Sequence, residues 1–281
     1  MSDQITLCCP NHEKSCFACC PPIRPHSYEH IQYRNIIKRI LRENTRQFVY
    51  EPENAKPITG FSCWALGYLD ETYRTVGCLL HPARHGGVDL RYKTGYGDKC
   101  RREQCPESKV FSALAPEPRL FYLGLTTGLD SFEYSSRKHN PLFALLGWGA
   151  DILETLYHHV SSSNGDPTVL EVQYPVLLNT PNSRAWTYPL RCTIEQCGPG
   201  AIRGSKFAIV FNRVCKDISV MCSNMGFADG NTFTHRLDMD KDFLNLIRLG
   251  VGIRKINSDA ASLLKEKIDQ RIDLFIKKLS E

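Results

Sequence analysis

No run of eighteen apolar residues occurs in these 281, so no segment predicts a membrane-spanning helix. The opening stretch, MSDQITLCCPNHEKSC, lacks the charged-then-apolar pattern of a signal peptide, so a cytoplasmic protein is expected. Charge of one sign is scarce: 35 Lys and Arg stand against 30 Asp and Glu, a surplus of +5 spread along the chain. A nucleic-acid groove needs a clustered basic stripe, so neither nucleic acid nor membrane is expected as a partner. The chain has no nucleophile elbow, P-loop, dinucleotide fingerprint or HExxH pair, and no internal repeat. No catalytic residue is therefore assigned, and a protein partner or protein substrate stays open.

What the chain does have is cysteine. There are 13, and nine fall before residue 106: Cys8, Cys9, Cys16, Cys19, Cys20, Cys63, Cys78, Cys100 and Cys105. In a reducing compartment disulfides are rare, and an odd total cannot pair completely. Dense cysteines in such a setting read as metal ligands before they read as staples. Buried inert thiols are the plainer alternative, because free cysteine packs as a small hydrophobe. The polar, proline-rich surroundings of these nine argue against it.

Helical periodicity is clearest over residues 27–48, where Ser27 can cap and Ile31, Ile36, Ile37, Ile40 and Leu41 recur on one face. Residues 1–26 are broken by prolines, and a loop with Pro52 and Pro57 follows the helix. His85 to Asp98 predicts a turn-rich loop or short hairpin. Helices are expected from Pro116 over RLFYLGLTTGL and from Pro141 to Val160, the latter with proline at its first turn. The stretch SSSNGDP is a candidate boundary. Residues 168–178, 186–194 and 205–214 are rich in β-branched and aromatic residues and predict strands. Helices at about 240–254 and 258–279 close the chain. The expected class is α+β: a loop-rich, metal-organised part over residues 1–106, then a domain of unassigned role over 107–281. The latter would hold helices, a small, mostly antiparallel sheet and two C-terminal helices.

The cysteines form two clusters. The first is Cys8-Cys9-Pro and, six residues on, Cys16-Phe-Ala-Cys19-Cys20-Pro; the second is Cys63, Cys78 and Cys100-Arg-Arg-Glu-Gln-Cys105-Pro. A C-x-x-C unit suits a metal because its short loop lets two thiolates converge while backbone N–H groups point at the sulfurs. The adjacent Cys20 suggests a multinuclear cluster or a second site. Proline follows Cys9, Cys20 and Cys105, a ferredoxin feature that tilts the reading from zinc toward iron–sulfur.

The order C16-F-A-C-C20, C63-W-A-L-G, G77-C-L-L-H-P-A-R84 and C100-R-R-E-Q-C105 resembles the YkgJ-type (CxxCC) family of zinc- or iron-chelating cysteine-cluster proteins, over the N-terminal third only. The resemblance implies Cys9 (or Cys8), Cys16, Cys19, Cys20, Cys63, Cys78, Cys100 and Cys105 as metal ligands. It also aligns Arg84 and Arg101 with the family's arginines. The chain departs from the family in a longer gap between Cys78 and Cys100 and in His81 where the family has tyrosine. Flagellin lysine-N-methylases carry a similar cysteine set.

Three functions are expected on these grounds. The first is a cysteine-ligated metal protein, iron–sulfur before zinc, with a redox or cluster-dependent task. The second is a protein- or peptide-modifying, methylase-like enzyme with a structural cluster, and the third a zinc-stabilised interaction module. Cys192, Cys197, Cys215 and Cys222 could form a second site, but their spacing favours core packing. His81 and His85 could ligate a metal, although loop histidines are more often simply exposed. His26 and His30 stand one helical turn apart without further signal, and His158-His159 suits the end of a helix.

Overall fold

The structure, a computed structural model, describes residues 5–11, 13–20, 29–48, 63–95, 100, 105–162, 165–225 and 230–280. The chain is a helix-rich α+β protein that divides into two compact units. Unit 1 takes Met1–Ala113 and Thr126–Phe143; unit 2 takes Leu114–Leu125 and Ala144–Glu281.

In unit 1, helix α1 (Arg34–Gln47) follows a 3-10 turn, His30–Tyr33, and buries Ile37 and Leu41. These pack with Phe17, Leu66, Tyr68, Val76, Leu80, Leu90 and Phe132 into a single apolar cluster. Beneath α1 lies a two-stranded antiparallel hairpin, β1 (Leu66–Tyr68) and β2 (Val76–Cys78), with Leu66 opposite Cys78. Helix and hairpin approach closely because Gly67 has no side chain. A Cβ there would stand 2.7 Å from Thr45 Oγ1 and 2.8 Å from Leu79 Cδ1. Thr45 Oγ1 in turn accepts the Tyr68 N–H at 2.8 Å. Residues 82–95 are turns with two 3-10 segments, as the glycine-rich sequence predicts. Helix α2 is Pro106–Ala113, and the one-turn helix α4 is Ser131–Tyr134. Between them in sequence, α3 (Pro116–Leu123) belongs to unit 2.

The segment from Pro141 to Val160 is two helices, α5 (Pro141–Leu146) and α6 (Ala150–Ser161). Gly149, at φ +92°, ends the continuity, and a side chain on Gly147 would collide with Ser183. The strands expected at 168–178, 186–194 and 205–214 are helices instead. They are α7 (Val169–Gln173), α8 (Pro175–Asn179), α9 (Thr187–Cys197) and α10 (Gly204–Asn224). The sheet of this α+β fold therefore lies in unit 1.

The physical reason is visible in α10. Phe207, Ala208, Phe211, Cys215, Ile218 and Cys222 form a buried helical stripe, while Ile209 and Val220 face solvent. A ten-residue window sees only β-branched content; the 3.6-residue period emerges over twenty. Packing then overrides propensity. Pro175 and Pro189 sit in first turns, where their missing N–H costs little.

Unit 2 is completed by α11 (Lys241–Asn245), a π-helical turn (Leu246–Gly250) and α12 (Ser258–Ser280). Its core joins Trp148 and Phe211 (ring centroids 6.2 Å apart) to Phe207 and Phe275. Two of its buried polar groups are matched: Trp148 Nε1 donates to Leu177 O at 2.8 Å and Tyr122 Oη to Leu153 O at 2.7 Å. The segment flanking Ser162 and Gly165, a candidate boundary by sequence, lies inside this unit. Among the described residues no helix is long and apolar enough to cross a membrane.

Candidate metal centre

Among the described residues the N-terminal cysteine loop has no helix or strand, and side chains take up backbone groups along it. Asn11 Oδ1 accepts from the N–H groups of Glu13 (3.0 Å) and Lys14 (3.1 Å), turning the chain between the cysteines. The Cys16 N–H then reaches Cys8 O at 2.9 Å and closes the loop. Helix α4 clamps both ends of this loop. Ser131 Oγ accepts from Ser15 N (3.1 Å), Ser135 Oγ accepts from Phe17 N (2.9 Å), and Tyr134 Oη donates to Leu7 O (3.0 Å). A full capping box of Asp130 and Glu133 holds α4 itself. Buried Phe17 packs edge-on against Phe132 (5.1 Å), anchoring the turn in which Cys20 N–H bonds Phe17 O at 3.0 Å. The Lys14 ammonium is bound to Thr126 O, and burial lowers its pKa.

The second set of cysteines is held from the hairpin side. Asn44 of α1 donates to Cys63 O (3.0 Å) and Leu66 O (2.8 Å), fixing the turn in which Leu66 N–H also bonds Cys63 O. Cys78 ends β2. Arg91 grips Asp89 with two bonds (Nε–Oδ1 2.9 Å, Nη2–Oδ2 2.7 Å) and gives its third, at 2.9 Å, to Cys100 O. Cys105 precedes α2 at the N-cap, its sulfur accepting the Ser108 N–H at 3.3 Å, and Pro106 opens the helix.

The electrostatics sort the thiols into two neighbourhoods. Cys16 is pushed well above the usual thiol range by burial and then by Cys8, Cys19 and Cys105. Cys105 rises to about 12 through burial, with Glu107, Cys8 and Cys19 adding. Cys8 rises to about 11 through burial and Cys19, while a bond with the Ser108 side chain pulls the other way. In the other neighbourhood Cys78 rises to about 12 through burial, Cys63 and Cys100, opposed by Arg91. Cys63 rises to about 11 through burial and Cys100. Cys20 is raised first by its hydrogen bond with the Cys19 thiol, then by burial, Cys78 and Cys63. Each neighbourhood also has an arginine held by a carboxylate: Arg91 on Asp89 near Cys78 and Cys100, and Arg137 on Glu107 near Cys105 and Cys16.

Of the two N-terminal candidates, Cys8 and not Cys9 is among the thiols pressing most on Cys16 and Cys105; Cys9 itself is raised by burial. Both reach solvent. Arg84 holds Leu69 O at 3.0 Å rather than a sulfur, and Arg101 lies outside the described residues, as does His26. His85 donates from Nε2 to Leu79 O at 2.8 Å, and His81 faces Arg91 and Asp89, with burial and Arg91 lowering its pKa. Among the described residues no three Cys, His, Asp or Glu side chains stand at a spacing that would hold a single metal ion.

Cys192, Cys197, Cys215 and Cys222 do not gather. Cys192 on α9 is raised by burial, with Arg191 opposing and Glu195 and Asp269 adding, while Cys215 and Cys222 sit along the buried stripe of α10. The residues that sequence reading missed are the supports: Asn44, Arg91, Ser131, Tyr134, Ser135 and Arg137. The D-S-F-E capping box and the i, i+4 pair Ser131/Ser135 were the signal that could have found them. No family model matches this chain, and neither a curated protein nor a solved structure does.

Proposed function

We propose that the chain is a cytoplasmic, cysteine-ligated metal-binding protein whose first unit carries iron–sulfur, with zinc as the competing metal. One observation carries the reading: thiols distant in sequence lie close enough to act on one another electrostatically, Cys105 on Cys16 and Cys63 and Cys78 on Cys20. Several thiolates cannot ionise together without a cation to offset their repulsion, so a bound metal would be what ionises them.

The donor set fits. It is all sulfur, and the buried indole N–H of Trp64, next to Cys63, has no acceptor among the described residues, a vacancy that a sulfur acceptor would fill. Bound there, a cluster would supply one-electron chemistry or serve as a scaffold. The chain's own residues would orient it: Ser108 and Thr94 lie against Cys105 and Cys100, and Arg91 braces the Cys100 backbone.

Metal analysis after anaerobic purification tests this. Brown protein with an absorption band near ~400 nm and matched iron and sulfide is the expected result. Colourless protein holding stoichiometric zinc would overturn the iron reading, and protein holding no metal would overturn the whole proposal.

A further inference from the structure

We propose that the groove between α10 and α12 is a docking site for an acidic amphipathic helix of a partner protein. The proposal goes beyond the metal reading and does not rest on it, since every residue involved belongs to unit 2.

The two helices pack antiparallel. Phe275 of α12 meets Phe207 and Phe211 near the start of α10. Arg271, one turn earlier on α12, lines an open groove of about 540 Å³ with Lys216, Asp217, Val220, Met221 and Met225, all further along α10. Spacing extends both walls. Arg213, Lys216 and Val220 follow Ile209 at four, seven and eleven positions on α10, and Arg271, Leu274 and Lys278 follow Lys267 in the same way on α12. Each set therefore shares one helix face. All of these side chains are exposed, and Ile209, Val220 and Leu274 leave about half or more of their surface in solvent.

The charge on these stripes is unanswered. Among the described residues none of Arg213, Lys216, Lys267, Arg271 and Lys278 joins an ion pair. Elsewhere in the unit cations are matched: Lys265 holds Asp269 and Arg191 holds Asp240, each at 2.6 Å. Asp217 is the only carboxylate among the described lining residues. Glu266 and Asp273 each stand one position before a member of the α12 stripe, hence about 100° away around the helix.

That chemistry selects the occupant. Unpaired cations call for carboxylates, the apolar residues between them for apolar anchors, and methionine walls adapt to the shape of an inserted side chain. A helix with Leu or Phe along one stripe and Glu or Asp on either side supplies both. Lys267 to Lys278 runs ~16 Å at 1.5 Å per residue, which about three turns of a partner helix would fill. A lipid surface fits less well, because neither stripe carries an aromatic side chain and the lining is concave and holds a carboxylate.

The test is fluorescence anisotropy of a labelled helical peptide of about sixteen residues, with Leu on one stripe and Glu on both flanks, titrated with the full chain. The peptide should bind, and Lys216→Glu combined with Arg271→Glu should weaken binding about tenfold or more. A peptide with Lys in place of Glu should bind that double variant better than it binds wild type. Replacing the peptide's Leu by Ser at constant charge should also cost about tenfold. Both substituted positions are exposed, and an unchanged urea midpoint checks that the variant is folded. No binding, equal binding of a scrambled peptide, or wild-type affinity in the folded double variant would overturn the proposal. So would two other outcomes. Phosphatidylserine vesicles bound through these cations while the peptide is not would give the face to a lipid surface. A dimer that the double variant splits, seen by sedimentation, would give it to a second copy of the chain.

Discussion

Unit 2 holds itself together in the ordinary way, by helices burying apolar stripes against one another. Unit 1 does so under α1, where Ile37 and Leu41 pack with the hairpin and Cys63. Its irregular loops are pinned by single side chains, namely Asn11, Asn44, Arg91, Ser131, Ser135 and Tyr134, each satisfying backbone groups that no helix or strand takes up. A net hydrogen bond contributes only about 0.5–1.5 kcal/mol, whereas a fully buried large apolar side chain contributes about 1.5–3. If metal binds there, the loops around the cysteines should depend on it more than the helices of unit 2 do.

Removing metal is the sharpest way to break that comparison. After chelation, hydrogen exchange should lose protection across residues 5–20 and 63–95, because binding energy there is folding energy. Helices α6, α10 and α12 should keep theirs. Equal loss in both units, or none in unit 1, would end the distinction.

Truncating Phe211, buried in unit 2 between Trp148 and Phe275, should cost about 3–5 kcal/mol on urea unfolding. Bound metal should stay at the wild-type level; a proportional loss of metal would show that the units are not energetically separate. Asn44→Ala should do the reverse at smaller scale. It strips the Cys63 and Leu66 carbonyls of a donor, costs about 1–3 kcal/mol, and should speed metal release. Unchanged release kinetics would remove Asn44 from the supports of the site.

The smallest effect is a titration in unit 2. Burial opposes ionisation of Asp240, but bonds from Phe243 N–H and Arg191 outweigh it and hold its pKa below the usual carboxylate value. A depressed pKa gives stability that is present above the unfolded value, near about pH 4, and lost as pH falls through the folded one. The stability gap between wild type and Asp240→Asn should therefore shrink as pH drops below about 4. A gap constant from about pH 6 to about pH 3 would rule out the carboxylate as its source.

Much of this was legible in the sequence, for reasons that differ by residue. Pro116 and Pro141 mark helices because proline at a helix start is a local signal. Val169 to Leu178 and Phe207 to Val214 misled because β-branched content is also local, while the partner that decides the outcome is not. The cysteines stood out by number, but not their division. Nothing in the spacing of Cys8, Cys9, Cys16 and Cys105 says that Ser108 would meet Cys8 and Cys105. The supports were the least visible, since Ser131 and Ser135 read as ordinary polar residues until Ser15 and Phe17 are laid against them.

That clamp sets a timetable. Ser15 and Phe17 leave the ribosome long before Ser131 and Ser135, the partners that fasten them across separations of 116 and 118 positions. Until then the leading thiols have the Asn11 turn, the Cys8–Cys16 bond and the Ser15 bond to Val76 O, but not the clamp of α4. Elongation through residue 135 thus completes the loop, which is fastened by a piece of chain made later than itself.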